Sequence, residues 1–345
     1  MSPAEASRLR PLAPGLLLAA AVAIAAVLAE PLMRQATGGR FVLPAMVIAL
    51  IIGIALNRIA GDRRFEPGLT FSVKKLLRWA IGLLGLRIAF GDILGLGLGT
   101  LVLVVGSMAA TIAAGVWLAR RLSVHDGYGA LAGAATAVCG ASATLATTTV
   151  LPNYPAKAAD TAFTVVAANA VSTIVMLAYP PLAILFGFDE TRTGIFLGAT
   201  IHDMAQVVGA GYAVSDPVGN AAVVVKLFRV FLLLPVVLAI GWWFTRQGAH
   251  AGQAKVPVPV FALVFLALVV VNSVLPGIPA LAGPYATIKG WLVHLSNAGL
   301  LIAIAALGLG TSLTALLTIG WRHVAVFLGT TLVILTIVAT GLIII

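Results

Sequence analysis

The feature that most constrains this chain is a succession of uncharged apolar runs, each long enough to cross a lipid bilayer. Pro11–Ala29 and Leu98–Leu118 are two of them. A hydrocarbon core of about 30 Å takes roughly 20 such residues as a helix. Only 9% of the 345 residues are charged and 61% are hydrophobic, where a soluble domain carries roughly 25% and 45–50%. A water-soluble fold always leaves a large surface to be solvated, and this composition cannot supply it. Within lipid every backbone N–H and C=O must be bonded inside the protein, which long apolar runs achieve as helices. The expected fold is all-α: a polytopic transmembrane helix bundle.

Reading the apolar runs between turn signals gives about eleven spans, near 13–29, 41–56, 76–96, 98–118, 129–150, 161–186, 193–213, 221–244, 257–275, 288–317 and 321–344. They make one transmembrane domain over residues 1–345, with no stretch between spans long enough for a second. Arg8 and Arg10 followed by Leu16–Ala29 have the outline of a signal peptide, but the run exceeds a signal's apolar core and reads as the first span. The net charge of +10 comes from basic residues that lie mostly between spans, so it reports topology and not a nucleic-acid partner. With the N-terminus inside, fourteen Lys and Arg fall on the cytoplasmic side and five on the other, the bias of a cytoplasmic N-terminus. The one cysteine, Cys139, excludes an intramolecular disulfide. Leu84–Gly97 and Leu307–Gly320 share five of fourteen positions. Placed in the third and tenth spans, they would form an inverted repeat; Leu- and Gly-rich sequence also matches itself by composition.

Polar and ionisable residues at membrane depth are costly and face a cavity or the bundle interior. Three places carry them. Ala137–Thr144 (AVCGASAT) brings Cys139, Gly140, Ser142 and Thr144 into the middle of the fifth span. Such a segment suits either close helix packing through small residues or a broken helix whose second half offers N–H groups to an anion. Gly198–Gln206 (GATIHDMAQ) places His202, Asp203 and Gln206 in the seventh span. Counted at ~1.5 Å per residue, His202 falls about 13 Å in, near mid-bilayer. Its imidazole can change charge near neutral pH, and the His-Asp pair also suits a structural bridge between helices. Lys226 and Arg229 share one helical face in the eighth span. Arginine matches the bidentate geometry of a tetrahedral oxyanion, or the pair can neutralise Asp203. Arg87 and Asp92 flank a turn and read as solvated.

With these residues in view, Ala137–Ala143 (AVCGASA), Thr200–Val207 (TIHDMAQV) and Lys226–Pro235 (KLFRVFLLLP) resemble the motifs of the YeiH-type sulfate exporter family of bacterial inner-membrane proteins. The resemblance covers the chain after its first span. It implies a transporter related in architecture to cation–proton antiporter and bile-acid transporter folds, with crossed discontinuous helices, exporting sulfate or small sulfonates. The family's second motif usually reads His-Glu; here it is His202-Asp203, whose shorter carboxylate has a different reach.

The reading that follows is a secondary active transporter of a small anion such as sulfate, sulfite or a sulfonate, coupled to an ion gradient in the bacterial inner membrane. Arg229, Lys226, Cys139, Gly140, Ser142 and Thr144 are its candidate substrate-binding residues, and His202, Asp203 and Gln206 its ion-coupling set. The partners are the small anion, the bilayer and, by analogy of architecture, a second copy; no cofactor, metal or nucleic acid is expected. The alternative makes Asp203 the ion site of a cation–proton antiporter. An intramembrane enzyme is disfavoured, since the chain has no His-Glu-x-x-His pattern and no second carboxylate deep in an apolar run.

Overall fold

The structure, a computed structural model, describes residues 11–36, 43–247, 259–310 and 320–344. They are helical nearly throughout, with no strand among the described residues. Seven helices are long and apolar enough to cross a membrane, with windows of mean hydropathy 1.8 to 2.6. The chain separates into two compact units.

The first unit holds residues 1–94, 208–216 and 260–312. Helix α1 (Ala13–Ala36) packs on α2 (Ala45–Ala55) through Ala19, Val22, Ala23, Ala26, Ile48 and Ala49, with Ala305, Ala306 and Leu309 closing the core. The carboxylate of Glu30 accepts the N–H of Ala45 at the start of α2 (3.0 Å), a negative charge at a helix N-terminus. The expected span at 76–96 begins earlier, at Glu66, and runs through a π-helical turn at Ser72–Leu76 into α3 (Leu77–Leu84). It breaks after a 3-10 turn at Gly85–Arg87. There Arg87 is not solvated as expected: its side chain is 14% exposed, ion-paired to Asp216 at 2.5 Å and stacked over the Tyr212 ring.

The second unit holds residues 95–207, 217–259 and 313–345. Its elements are α4 (Gly97–Arg121), α5 (Asp126–Ala137), α6 (Ala141–Val150), α7 (Lys157–Leu185), α8 (Glu190–Thr200), α9 (Met204–Val214, which leads into the first unit), α10 (Asp216–Phe231) and α11 (Leu233–Arg246). After α12 (Val260–Val274) and α13 (Pro279–Gly310) of the first unit, α14 (Trp321–Ile344) completes it.

Two of the expected spans do not cross. The run at 129–150 is a re-entrant hairpin: α5 enters, the chain turns at Val138–Gly140, and α6 returns to the same face. Its two ends touch, His125 at the start of α5 stacking on Tyr154 beyond α6 with ring centroids 4.0 Å apart. The run at 193–213 does the same from the other face. α10 lies parallel to α8, with Gly194 against Val218 and Ala222, and Gly198 against Ala222 and Val225. The residues between the break at Ile201–Asp203 and the start of α10 must therefore return to the face where α8 began. Each first arm, 12 and 11 residues long, spans about half of a 30 Å bilayer at ~1.5 Å per residue. A hydropathy profile treats an apolar run of this length as a crossing because it sees composition and not direction, and it cannot register a mid-run reversal. The count of about eleven crossings therefore overstates the structure by these two.

Of the other spans, α1 runs seven residues past the expected end at 29, to Ala36, and α13 starts at Pro279 and not 288; the remaining described bounds lie within about five residues of those expected. Residues 311–319, which include most of the second copy of the repeat, lie outside the described residues.

One end of the second unit is marked by arginine–tryptophan stacking: Arg120 on Trp243, Arg121 on Trp117, Arg246 on Trp242 and Arg322 on Trp321. Tryptophan and basic side chains of this kind sit at the level of lipid headgroups. This is the end at which the first hairpin enters. Single cysteines placed in a Cys139→Ser background test the topology: Ser123→Cys and Asn153→Cys are expected to react with an impermeant maleimide from one side of a sealed vesicle, and Glu190→Cys and Pro217→Cys from the opposite side. Labelling of Ser123→Cys and Asn153→Cys from opposite sides would restore the crossing helix.

Candidate functional site

The two hairpins bring their tips together at mid-depth, and the sequence explains why each breaks where it does. At the first tip Gly140 takes φ +56° and ψ −119°, a conformation that side chains resist. A Cβ there would also lie 3.4 Å from Asp203 Oδ2 of the second tip. At the second tip the helix stops at Thr200, Ile201 is extended, and Asp203 restarts it by capping α9: its Oδ1 accepts the N–H of Ala205 at 3.2 Å. Ser172 of α7 supports the crossing by accepting the Asp203 N–H on its Oγ (3.1 Å). Ala168, Asn169, Ser172 and Thr173 of α7 thus line up behind both tips.

A broken helix leaves carbonyls without their usual i+4 donors, and in a membrane these must be satisfied by the protein. Lys226 and Arg229, both fully buried on α10, perform this task. The Lys226 ammonium donates to the carbonyls of Val138 (2.6 Å), Ile201 (2.9 Å) and His202 (2.5 Å). Arg229 donates through Nε to Ala137 (2.8 Å), through Nη1 to Gly198 (2.8 Å) and Ile201 (3.0 Å), and through Nη2 to Thr136 (2.6 Å). The two cations therefore sit at the negative ends of α5 and α8, where the helix dipoles favour them. Three ammonium protons and four of the five guanidinium protons are engaged by backbone. An anion that bonded directly to Lys226 would have to displace one of these carbonyls, and Arg229 has a single Nη2 proton left.

His202 stands between the tip and α14. Its Nε2 lies 2.9 Å from Thr331 Oγ1 and its ring stacks on Phe327 at 5.6 Å. Thr331 Oγ1 also lies 3.0 Å from the Phe327 carbonyl, to which it donates, and Nε2 is accordingly read as the donor to Oγ1. Nδ1 is buried without a partner. The ring is therefore assigned as the neutral Nε2–H tautomer beside two cations. Gln206 donates to Asn169 Oδ1 (3.2 Å) and Thr173 Oγ1 (3.4 Å), leaving its own Oε1 buried without a partner.

Cys139 is buried at the first tip, and Thr144 turns back to its own helix, donating to the Gly140 carbonyl (3.0 Å). Ser142, Asn169 and Asp203 keep part of their surface accessible at the level of the tips. Gly140 has no side chain with which to cap α6, and the Cys139 thiol lies against the Ala143 N–H of its first turn. Sequence reasoning placed these residues at a common depth but did not show that Lys226 and Arg229 are spent on backbone. It also passed over Asp160, one residue before the expected span at 161–186, which is 4% exposed and meets His323.

The architecture is that of an all-helical, multi-pass membrane protein organised around two opposed half-membrane hairpins. Residues 14–342 match the family described as conserved hypothetical protein 698, and the chain belongs to that family, the YeiH-like one its motifs resemble. Among its relatives, the UPF0324 membrane protein TauZ of Paracoccus pantotrophus is 40% identical over 306 residues, 87% of this chain and 88% of the relative. The UPF0324 membrane protein RB0971 of Rhizobium meliloti is 39% identical over 332 residues, 95% and 92% of the two chains. The UPF0324 membrane protein CT0845 of Chlorobaculum tepidum is 39% identical over 291 residues, 84% and 79%. No solved structure matches the chain.

Because Arg229 alone satisfies four carbonyls, Arg229→Gln is expected to cost about 3–5 kcal/mol, since each abandoned buried acceptor costs roughly 1–3 kcal/mol. Lys226→Met should cost a comparable amount and Ser142→Ala less than about 0.5 kcal/mol. Thermal unfolding in one detergent, read by intrinsic fluorescence, measures the order.

Proposed function

We propose that this protein is a secondary active transporter of a small oxyanion, a sulfate, sulfite or short sulfonate, across the bacterial inner membrane. The observation that carries the reading is the charge at the hairpin tips. Two fully buried cations, Lys226 and Arg229, face one carboxylate, Asp203, and the neutral tautomer of His202 adds no charge. The region thus holds a net +1 in a low-dielectric setting, which favours an anion over a cation. Within it the Asp203 carboxylate already caps α9, whereas Gly140 at the start of α6 brings no side chain to its N–H groups. The substrate-binding role goes to the N–H groups around Gly140 and Cys139 and to the Ser142 hydroxyl, with Thr144 shaping the turn. Lys226 and Arg229 act on the anion chiefly through their field, since their donors are engaged. Opposed half-helices with a mid-depth site are the plan on which many secondary transporters alternate access.

Asp203, Gln206 and His202 remain the residues through which a coupling ion would act, and Asp203 is the one poised to carry it. Its Oδ2 approaches the Gly140 backbone, so a bound anion and the ionised carboxylate would compete for one location. Protonation of Asp203 would then accompany anion binding. The alternative reading, an antiporter that loads a cation on Asp203, draws on the same carboxylate.

The second unit supports one orientation. Its arginine–tryptophan end carries Arg120, Arg121, Lys157, Arg246 and Arg322, and the opposite end Arg192. The positive-inside rule makes the first of these cytoplasmic, which agrees with a cytoplasmic N-terminus.

Thermal stabilisation against sulfate, sulfite, taurine, phosphate and chloride tests the anion site. A ligand at 100 times its Kd stabilises by about 2.7 kcal/mol. One oxyanion is expected to raise the melting temperature of the native protein and to lose at least half of that shift in Ser142→Ala. A shift with sodium alone, abolished in Asp203→Asn, would replace the anion reading with the cation one. Proteoliposome uptake of the stabilising anion, faster under an imposed pH gradient and uncoupled in Asp203→Asn, would establish the coupling.

A further inference from the structure

A second group of titratable side chains lies away from the tips, at the base of the first hairpin. Asp160, on the first turn of α7, is 4% exposed. Its Oδ1 lies 3.2 Å from His323 Nε2, on the first turn of α14. Its Oδ2 and the hydroxyl of Tyr154, in the turn beyond α6, are both buried, and the phenol faces the carboxylate with no other partner for either. Burial, and then the charge of Asp160, push the Tyr154 phenol up from its ordinary range, so it stays a neutral donor beside the carboxylate.

The cluster grips both arms of the hairpin. Tyr128, on the entering arm, donates its hydroxyl to the His323 carbonyl (2.6 Å) and meets the His323 ring edge-on at 4.5 Å. Tyr154, after the returning arm, stacks on His125 at the cap of the entering one. Phe163 closes the other side of the His323 ring at 6.1 Å.

The charge balance is unusual for a buried site. The other charged groups of the surrounding elements are directed elsewhere: Arg120 of α4 binds Asp126 of α5, Arg121 stacks on Trp117, Arg246 of α11 on Trp242, and Arg322 of α14 on Trp321. Lys157 donates to the Leu151 carbonyl and to Asn153. His125 Nδ1 accepts the Gly127 N–H. Among the described residues the ion-pair partner of Asp160 is His323. With His323 neutral, the cluster carries a −1 that no basic side chain compensates, on a carboxylate only 4% exposed. One proton taken up on the imidazole turns it into a neutral ion pair that ties α7 to α14 across the hairpin base.

We propose that Asp160 and His323 form a one-proton binding site whose occupancy holds the base of the first re-entrant hairpin closed. Loss of the proton leaves a buried charge that only hydration can stabilise, so the base opens and water reaches further along the hairpin. The site lies at the arginine–tryptophan end of the unit and senses the pH of that compartment. It stands independently of what the tips bind.

Cys139 makes this measurable in an otherwise native chain, since it is the one cysteine and sits buried at the tip of this hairpin. The rate of its alkylation by N-ethylmaleimide in detergent is followed from pH 6.0 to 8.5 in the wild type and in Asp160→Asn. The ratio of the two rates removes the titration of the thiol and the chemistry of the reagent. That ratio is expected to rise at least fivefold between pH 6.0 and 8.5; single-proton linkage permits at most tenfold per pH unit. His323→Gln, which retains a hydrogen-bond donor but no titrating ring, should follow the Asp160→Asn profile, and it supplies the comparison if Asp160→Asn does not fold. Tyr154→Phe, which leaves the pair intact, should keep the wild-type rise. A ratio constant within twofold across the range, against either variant, overturns the proposal. So does a loss of the rise in Tyr154→Phe alone, which would place the effect on the phenol.

Discussion

The core of the second unit depends on two side chains of one helix. Lys226 and Arg229 together donate seven hydrogen bonds to six backbone carbonyls drawn from both hairpin tips. A chain reversal inside a membrane is otherwise prohibitive, because each exposed C=O costs several kcal/mol in hydrocarbon. The two cations supply the missing donors, and the ends of α5 and α8 in turn supply the negative potential that makes buried cations tolerable. Neither the breaks nor the charges would be stable without the other, and the tips can meet only because both conditions hold at once.

This reciprocity changes how intramembrane charge is to be read. An arginine at mid-span invites the idea of a substrate ligand, and its side chain does have the geometry for an oxyanion. Here four of its five donors are committed to structure, and what remains is one proton and the positive field around it. The polar groups that keep accessible surface at the tips are less conspicuous: Ser142, Asn169 and Asp203. The Asp203 carboxylate caps the second tip and stands close enough to Gly140 of the first that a side chain there would touch it.

Much of this was legible beforehand. The apolar runs located almost every helix to within a few residues, and the three polar interruptions are the three segments that converge. His202 and Asp203, which a regular helix would splay by about 100°, lie at a break that lets one face α14 and the other cap α9. What periodicity could not show was the reversal of direction, since an apolar run records composition and not the direction in which the chain travels. The two errors compensate. Each hairpin adds one false crossing, so everything after the second keeps its side, and Lys157 and Arg192 simply exchange places in the basic-residue count. Asp160 escaped notice because a carboxylate just outside an apolar run reads as solvated, and burial by Tyr128, Tyr154 and His323 comes from segments far apart in the chain.

By itself the sequence determined that this is a membrane protein of helices, where those helices lie, and which residues at depth had to be accounted for, because transfer into hydrocarbon penalises every exposed polar group and so confines composition segment by segment. Tertiary structure decided which helices turn back, which donors are spent on carbonyls and which carboxylate is buried with a histidine. Those outcomes depend on the direction of the chain and on partners as far apart as Asp160 and His323, or Ala137 and Arg229, and local pattern carries no record of either.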